Sequence, residues 1–334
     1  MSTAIAGGSA ALGWLLAVVV TVGVLTTAAG WTPHPLVAGI QGAAPRLIPI
    51  GVLLGVLLIA ASRDLSGVLL PGAVLLTGVT AWTILLLPAG SSAQSSGEPG
   101  LRILSANLLI TNTDAAEIAQ DIISADPDVL ITVETTEVTR EALKDHLPSY
   151  RVKDTGRGAR GSWATVWVHE RASARVDDGA NGIEAGTEYL PGVRYRVDQA
   201  AGEVIHIVGV HLHAPSTAKD IALWQDEFAD LTRHAATGGE RLVLGGDFNA
   251  GRSHPVAKEL FGLLGDAGRT PWGSGTPTWP ALGRGDGLYR FLPPLLDLDH
   301  ILVGPGLASR NYRTVGIHGS DHLGVIADVS LRRP

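Results

Sequence analysis

Polar side chains able to do chemistry fall in this chain where short apolar runs stop. Asn107, Glu134, His211, Asp247 with Asn249, and Asp299 each end or abut such a run, and Ser320-Asp321-His322 precedes the last one. Ligands of α/β sheets gather beyond one edge of the strands, so polar residues recurring at strand ends point to one convergent site. The residue types matter as much as the places. Carboxylates and amide oxygens are hard donors suited to a divalent cation that keeps some of its waters, and an imidazole can carry a proton near neutral pH. No cysteine occurs in the 334 residues, which excludes disulfides, thiolate zinc sites and cysteine nucleophiles.

In LVLGGDFNA, 242–250, an extended backbone puts Asp247 and Asn249 on one face and Phe248 toward the core. The two glycines ahead of them permit a close approach of backbone or ligand. A turn in which Asp and Asn bond their own backbone fits the same letters, and the motif by itself leaves both readings open. In LLDLDHILVG, 295–304, the same arithmetic sets Asp297 and Asp299 against Leu298 and His300. A buried acid needs a partner, and His322 is the candidate for Asp299, since a carboxylate on an imidazole fixes its tautomer and favours the charged ring. Asp297 reads instead as half of a surface pair on an edge strand. His211 and His213 share one side of IVGVHLHAPS, 207–216. With no HExxH and no thiol, a phosphate-facing His211 and a structural His213 fit better than a zinc pair.

The elements that must position these groups are short. Strands are predicted at 102–106, 128–133, 163–168, 204–210, 241–244, 299–303, 312–317 and 324–331, and helices at 114–124, 137–147 and 218–234. Asp114 with Glu117 reads as a capping box, and Ile118, Ile122 and Ile123 as the apolar face of the first of these helices. Residues 265–294, rich in Gly and Pro, read as a long surface loop of the kind that meets substrates. Strands mixed with helices over this length make one α/β domain.

Ahead of that domain the composition changes. Residues 1–96 hold three charged side chains, Arg46, Arg63 and Asp64, whereas 97–334 hold 23 Lys and Arg against 31 Asp and Glu, a net of −8. Apolar runs at 10–29, 47–62 and 65–87 predict three transmembrane helices, the middle one bracketed by Arg46 and Arg63. They lack the polar stripe of a soluble helix, and residues 1–9 lack the basic start of a signal peptide. The expected organisation is a membrane anchor at 1–89, a flexible linker at 90–100 and a catalytic domain at 101–334. The two arginines give no net orientation. The linker, GSSAQSSGEPG, has no basic cluster, which favours an extracytoplasmic catalytic domain on a multi-pass cell-membrane protein. Net −8 makes nucleic acid a poor partner, because affinity for it rests on neutralising phosphates.

SANLL with Asn107, DVLITVE with Glu134, VGVHLHAPS with His211, GGDFNA with Asp247 and Asn249, LDHILV with Asp299, and GSDHLGV with Asp321 and His322 follow one another in order. Together they resemble the successive signatures of the endonuclease/exonuclease/phosphatase family, which includes deoxyribonuclease I-like nucleases, neutral sphingomyelinases and inositol polyphosphate phosphatases. The resemblance covers 101–334. It implies an α/β fold, a four-layer sandwich of two mixed β-sheets flanked by helices, and a metal-dependent phosphodiesterase or phosphatase. On that resemblance Glu134 is the principal ligand of Mg²⁺, with Mn²⁺ the alternative ion, and Asn107 and Asp321 complete or support the metal shell. Asp247 orients or activates water, Asn249 holds a phosphate oxygen, His322 paired with Asp299 polarises the phosphate, and His211 assists from the other side. Val133 stands where the family usually has Gln and Val210 where Thr is frequent, and neither change removes a charged group. A subgroup with three spans before the catalytic domain resembles this layout. The expected partners are therefore a lipid bilayer and a phosphoester substrate, a phospholipid or lipid-linked phosphate, with no obligate protein partner. A surface-anchored nuclease and a catalytically inactive binding module of the same fold are the alternatives.

Overall fold

The computed structural model describes residues 2–61, 69–86, 100–156, 163–177, 181–198, 202–269, 275–284 and 291–332. Three helices come first, α1 (Ser2–Ala28), α2 (Pro35–Ala61) and α3 (Leu69–Leu86). They pack on one another through Val20, Ala44, Leu75, Val79 and Trp82. Buried Gln41 ties down the turn between α1 and α2, accepting from Thr32 Oγ1 at 2.8 Å and donating to the Trp31 carbonyl at 3.1 Å. The outer faces stay apolar, with Leu15, Leu25, Leu53, Val56 and Ile84 exposed.

Two expectations change here. α2 begins at Pro35, well before the span predicted at 47–62, and runs through Pro45 and Pro49, so Arg46 lies within the helix rather than at its mouth. Among the described residues one stretch, Pro35–Leu57, is long and apolar enough to cross a membrane, not three. The described apolar parts of the other two helices, Trp14–Ala28 and Gly72–Ile84, are shorter. Of the predicted linker only Gly100 is among the described residues.

The remainder is mixed α/β. Its strands are β1 (Leu101–Asn107), β2 (Val129–Thr135), β3 (Tyr150–Thr155), β4 (Trp163–His169), β5 (Ile183–Ala185), β6 (Glu188–Leu190) and β7 (Gly192–Asp198). Then follow β8 (Glu203–His211), β9 (Leu242–Asp247), β10 (Gly265–Asp266), β11 (Asp299–Val303), β12 (Leu307–Gly316) and β13 (Leu323–Leu331). Helices α4 (Ala115–Ala125), α5 (Glu137–His146), α6 (Glu170–Ser173), α7 (Ala218–Gly238) and α8 (Leu260–Leu263) lie between them. One sheet runs β12-β13-β1-β2-β4-β3, the other β10-β11-β9-β8-β7, and β5 pairs with β6. Each large sheet holds one parallel pair, β1–β2 or β8–β9, with antiparallel neighbours on both sides.

Alternation along the strands assigns the faces. Ile103, Val129, Ile131 and Val133 of the first sheet meet Ile205, Ile207, Val243 and Ile301 of the second. Leu104, Ala106 and Leu130 turn outward onto Ile118, Ile122 and Leu143 of α4 and α5. Val208, Val210, Leu242 and Leu244 turn outward onto Trp224, Phe228 and Leu231 of α7. The layers thus run helix, sheet, sheet, helix. Each large apolar side chain so buried contributes on the order of 1.5–3 kcal/mol relative to exposure.

Some local readings are corrected. Asp114 stands at the N-terminus of α4 but makes no capping bond with its side chain, and pairs with His318 at 3.2 Å instead. Ile123 is exposed, because the face turned to the sheet carries Ala115, Ile118, Ala119 and Ile122 instead. Gly265–Asp266 is a strand, and Thr278 and Ala281 have no exposed surface, so within the described part of 265–294 the chain is at the surface at Leu282 and at Phe291 and Leu292 but not throughout.

Candidate active site

The topology brings the polar strand ends together. β1 and β2 are parallel, as are β8 and β9, so Asn107, Glu134, His211 and Asp247 leave their sheets at C-terminal ends. β11 runs antiparallel to β9 and β13 antiparallel to β1, so the starts of β11 and β13 reach the same edge. In register, Asp247 lies opposite both His211 and Asp299. Gly246 makes that crossing fit, since a Cβ there would stand 1.8 Å from the Val210 carbonyl oxygen.

Asn107 is the bridge. Its fully buried amide nitrogen donates to Glu134 Oε1 at 3.0 Å and to Asp247 Oδ2 at 3.1 Å, while its oxygen accepts from the Leu109 amide at 2.9 Å. Glu134 is aimed at it by a register shift in the β2–β4 ladder and a left-handed backbone, φ 53°. Such a bulge re-aims a side chain at the cost of local strain, on the order of 1–3 kcal/mol. The second Glu134 oxygen accepts from the Ile110 amide at 3.0 Å, and His211 Nε2 approaches Oε1 to 3.8 Å. Burial holds the His211 imidazole below its ordinary pKa, against the pull of Glu134.

His322 Nδ1 lies 2.8 Å from Asp299 Oδ2 and 3.9 Å from Asp247 Oδ2. Burial alone would discharge this ring, but Asp299 and Asp247 outweigh it and push its pKa up to about 10. The Ser320 hydroxyl locks the turn, accepting from the His322 amide at 3.0 Å and donating to the Asn107 carbonyl at 2.7 Å. Asp247 is raised to about 7 by burial first and then by Asp299. Thr278 Oγ1 accepts from the Asp299 amide at 3.2 Å.

Of the predicted site residues, Glu134, His211 and Asp247 form one group of ligand atoms within 4.8 Å of each other, and Asp247, Asp299 and His322 form another. Asp321 is in neither, its carboxylate accepting from Trp279 Nε1 at 3.0 Å. Both readings of GGDFNA hold at once. The Asn249 amide folds back to Asp247 Oδ1 at 2.8 Å through a left-handed turn, φ 49°, while Asp247 Oδ2 faces Asn107. Asn249 is therefore not on an extended strand, and its side-chain nitrogen donates to the Leu212 carbonyl at 2.9 Å. His211 and His213 part company, since His213 Nδ1 meets Glu227 Oε1 at 2.5 Å in a separate group with Glu188. Asp297, expected at a surface, is 1% exposed, and β11 is flanked by β9 and β10, so it is not an edge. Its partner is Arg46 of α2 at 3.2 Å. Trp279 and Thr278 had no signal in the sequence, and Ser320 was marked only as the first residue of Ser320-Asp321-His322.

The donor set fits a hard divalent cation. Three carboxylates and an amide converge with a single charged imidazole, and Asp299 Oδ1 is buried with no hydrogen-bond partner. Like charges packed this closely are stabilised by a positive ion between or beside them.

Residues 104–322 match the sequence model of the Endonuclease/Exonuclease/phosphatase family. No curated protein matches the sequence. Solved structures are similar in fold. An endonuclease/exonuclease/phosphatase family protein from Bacteroides thetaiotaomicron is 15% identical with a TM-score of 0.51, over 71% of this chain and 100% of that one. The human Nocturnin catalytic domain with bound sulfate anion is 16% identical with a TM-score of 0.51, over 70% of this chain and 94% of that one. A mannosyl-6-phosphatase of Bacteroides thetaiotaomicron is 15% identical with a TM-score of 0.50, over 69% of this chain and 100% of that one.

Proposed function

This chain belongs to the endonuclease/exonuclease/phosphatase family, whose members are hydrolases acting on phosphoester bonds, and we propose that it is a divalent-cation-dependent phosphoester hydrolase tethered to a membrane. The observation that carries this reading is the buried Asp299–His322 pair standing beside Asp247 and within one sheet edge of Glu134.

Glu134 and Asn107, with Asp247 beside them, would hold the cation, Mg²⁺ in the first instance and Mn²⁺ as the alternative, and Asp321 would support that metal shell. When bound, it supplies charge that offsets the negative charge developing on the phosphoryl group. The protein groups do the rest. Ionised Asp247 takes the proton of the attacking water. His322, held charged by Asp299, donates from Nε2 to a phosphoryl oxygen, and the stabilisation is greatest in the transition state, where that oxygen is most negative. Asn249 and His211 fix the remaining phosphoryl oxygens. Val133 is fully buried in the inter-sheet core, so its departure from the usual Gln leaves this set untouched.

The tether is read from α2, the one described stretch long and apolar enough to cross a membrane, with α1 and α3 packed on it and sharing its surroundings. A phospholipid or lipid-linked phosphate is the substrate class that such a position favours, because tethering raises the local concentration of lipid head groups. The linker, with no basic cluster in 90–100, favours an extracytoplasmic catalytic unit. The acidic balance of 97–334 speaks against a nuclease. The test is release of p-nitrophenol from bis-p-nitrophenyl phosphate by the full chain in detergent. Turnover that requires Mg²⁺ or Mn²⁺ and stops with a chelator is expected; turnover indifferent to chelation, or none with any divalent cation, rejects the proposal.

A further inference from the structure

Helix α2 is held against the catalytic edge at two places. His254 is buried, and its Nδ1 accepts from the Gly251 amide at 2.9 Å, which leaves the proton on Nε2 to donate to the Ala38 carbonyl at 3.0 Å. The helix comes this close because Gly42 has no side chain: a Cβ there would stand 2.9 Å from His254 Cε1. Farther along, Arg46 meets Asp297 Oδ1 at 3.2 Å and the Gly275 carbonyl at 3.2 Å. The two fastenings lie about 12 Å apart along the helix, and at its N-terminal end, where Pro35, Ala38 and Gly39 stand beside the sheet edge, lies an open cavity of about 490 Å³.

Ala38 and Gly39 of α2 line that cavity together with Pro215, Leu296 and Leu298, and Asn249 and His322 of the site line it as well. Asn249 and His322 offer partners to a phosphate, and although Ser216, His254 and Trp279 also line the cavity, most of its exposed lining is apolar, where a polar or charged group would lose water for few hydrogen bonds. Beyond Arg46 the same helix exposes Ile50, Leu53, Val56 and Leu57.

We propose that the first turns of α2 are one wall of the substrate site, and that the cavity holds the alkyl chain of a membrane phosphoester whose phosphate lies at His322 and Asn249. This rests on the hydrolase reading above and deepens it by assigning a place to the substrate's alkyl chain. It also makes Gly39 a specificity-determining position, because nothing lies within 4 Å of a Cβ there and a larger side chain would occupy the cavity.

The experiment compares hexadecyl p-nitrophenyl phosphate with bis-p-nitrophenyl phosphate, using the full chain in detergent micelles with Mg²⁺. In both esters water attacks phosphorus and the bond to p-nitrophenolate breaks, so only the second substituent differs. Wild-type protein is expected to favour the hexadecyl ester at least tenfold in kcat/KM. Gly39→Leu is expected to lower that selectivity at least tenfold, mainly through KM for the hexadecyl ester, and Gly39→Ala to keep most of it. Ala214→Trp, which fills the cavity from the opposite wall at an exposed position, should act as Gly39→Leu does. Selectivity that survives both large substitutions, or equal losses on the two esters, overturns the proposal. Wild-type protein that cleaves the small diester without preferring the hexadecyl ester overturns it while leaving the hydrolase reading intact. Cleavage of neither overturns both.

Discussion

His322 and Asp299 are the most constrained pair in the site, 2.8 Å apart and almost without solvent. His322→Ala is expected to lower kcat by about 10²- to 10⁴-fold with little change in KM, the range for loss of a positioned proton donor. The pH profile follows from the neighbours. Asp247, raised to about 7, must be ionised to accept a proton, so kcat/KM climbs as pH rises through a limb at or below that value, since a bound cation favours the carboxylate further. The alkaline limb is the loss of the His322 proton near pH 10, and Asp299→Asn moves it toward neutrality by removing the anion that holds the ring charged. A profile between pH 5 and 11 with no shift of that limb in Asp299→Asn contradicts this assignment. The pair was legible in the letters, because acid and imidazole each stood beside an apolar strand. The left-handed backbone at Glu134 was not, since nothing in a glutamate marks φ above zero, whereas the turn at Asn249 was one of two readings the letters allowed. Their conformations are imposed by the bulge in β2 and by the bond from the Asn249 amide to Asp247.

At the scale of elements, β11 presents opposite chemistries on its two faces. Asp299 faces the site, while the next residue, His300, is buried against Asp266 of β10 at 3.2 Å. Burial would lower the His300 pKa, but Asp266 outweighs it and raises it to about 9, and His300 in turn holds Asp266 below the usual carboxylate range despite its burial. His300 therefore contributes stability fully below its ordinary value near 6.5, and that contribution is lost as pH rises through about 9. Asp266 contributes above its ordinary value near 3.9, and loses its contribution as pH falls through its lowered one. Asp266→Asn is expected to cost about 3–5 kcal/mol, the range for breaking a buried pair, and to flatten the decline between pH 7 and 9. Thermal unfolding at several pH values measures both, and an unchanged Tm contradicts the pairing. The main strands and α7 were readable from alternation and helical period. β5, β6 and β10 were not, since they run for only two or three residues and a period needs more, and β3 and β7 were missed although they are as long as the strands that were read. Asp297 was misread for a related reason, because its partner Arg46 lies 251 positions away.

For the whole molecule, that same Arg46–Asp297 contact joins the apolar helices to the hydrolytic unit. Arg46→Met would leave the Asp297 carboxylate buried with, among the described residues, the Gly275 amide at 3.0 Å as its hydrogen-bond donor, and is expected to cost about 3 kcal/mol, seen as a lower Tm in detergent; no change would mean that α2 and the domain are not fastened there. Two regimes of composition showed that a greasy segment precedes an acidic domain, yet no local pattern could show that the first lines the site of the second. The account as a whole stands on separate strand ends acting as one centre. A double-mutant cycle of Glu134→Ala and His322→Ala on cation-stimulated phosphodiester hydrolysis tests this most directly. Each single substitution is expected to lower kcat/KM by about 10³-fold, and the double variant by no more than about tenfold further, because groups that work as a unit lose their effect together. Independent losses that multiply to about 10⁶-fold, or activity that survives either single change, would contradict it.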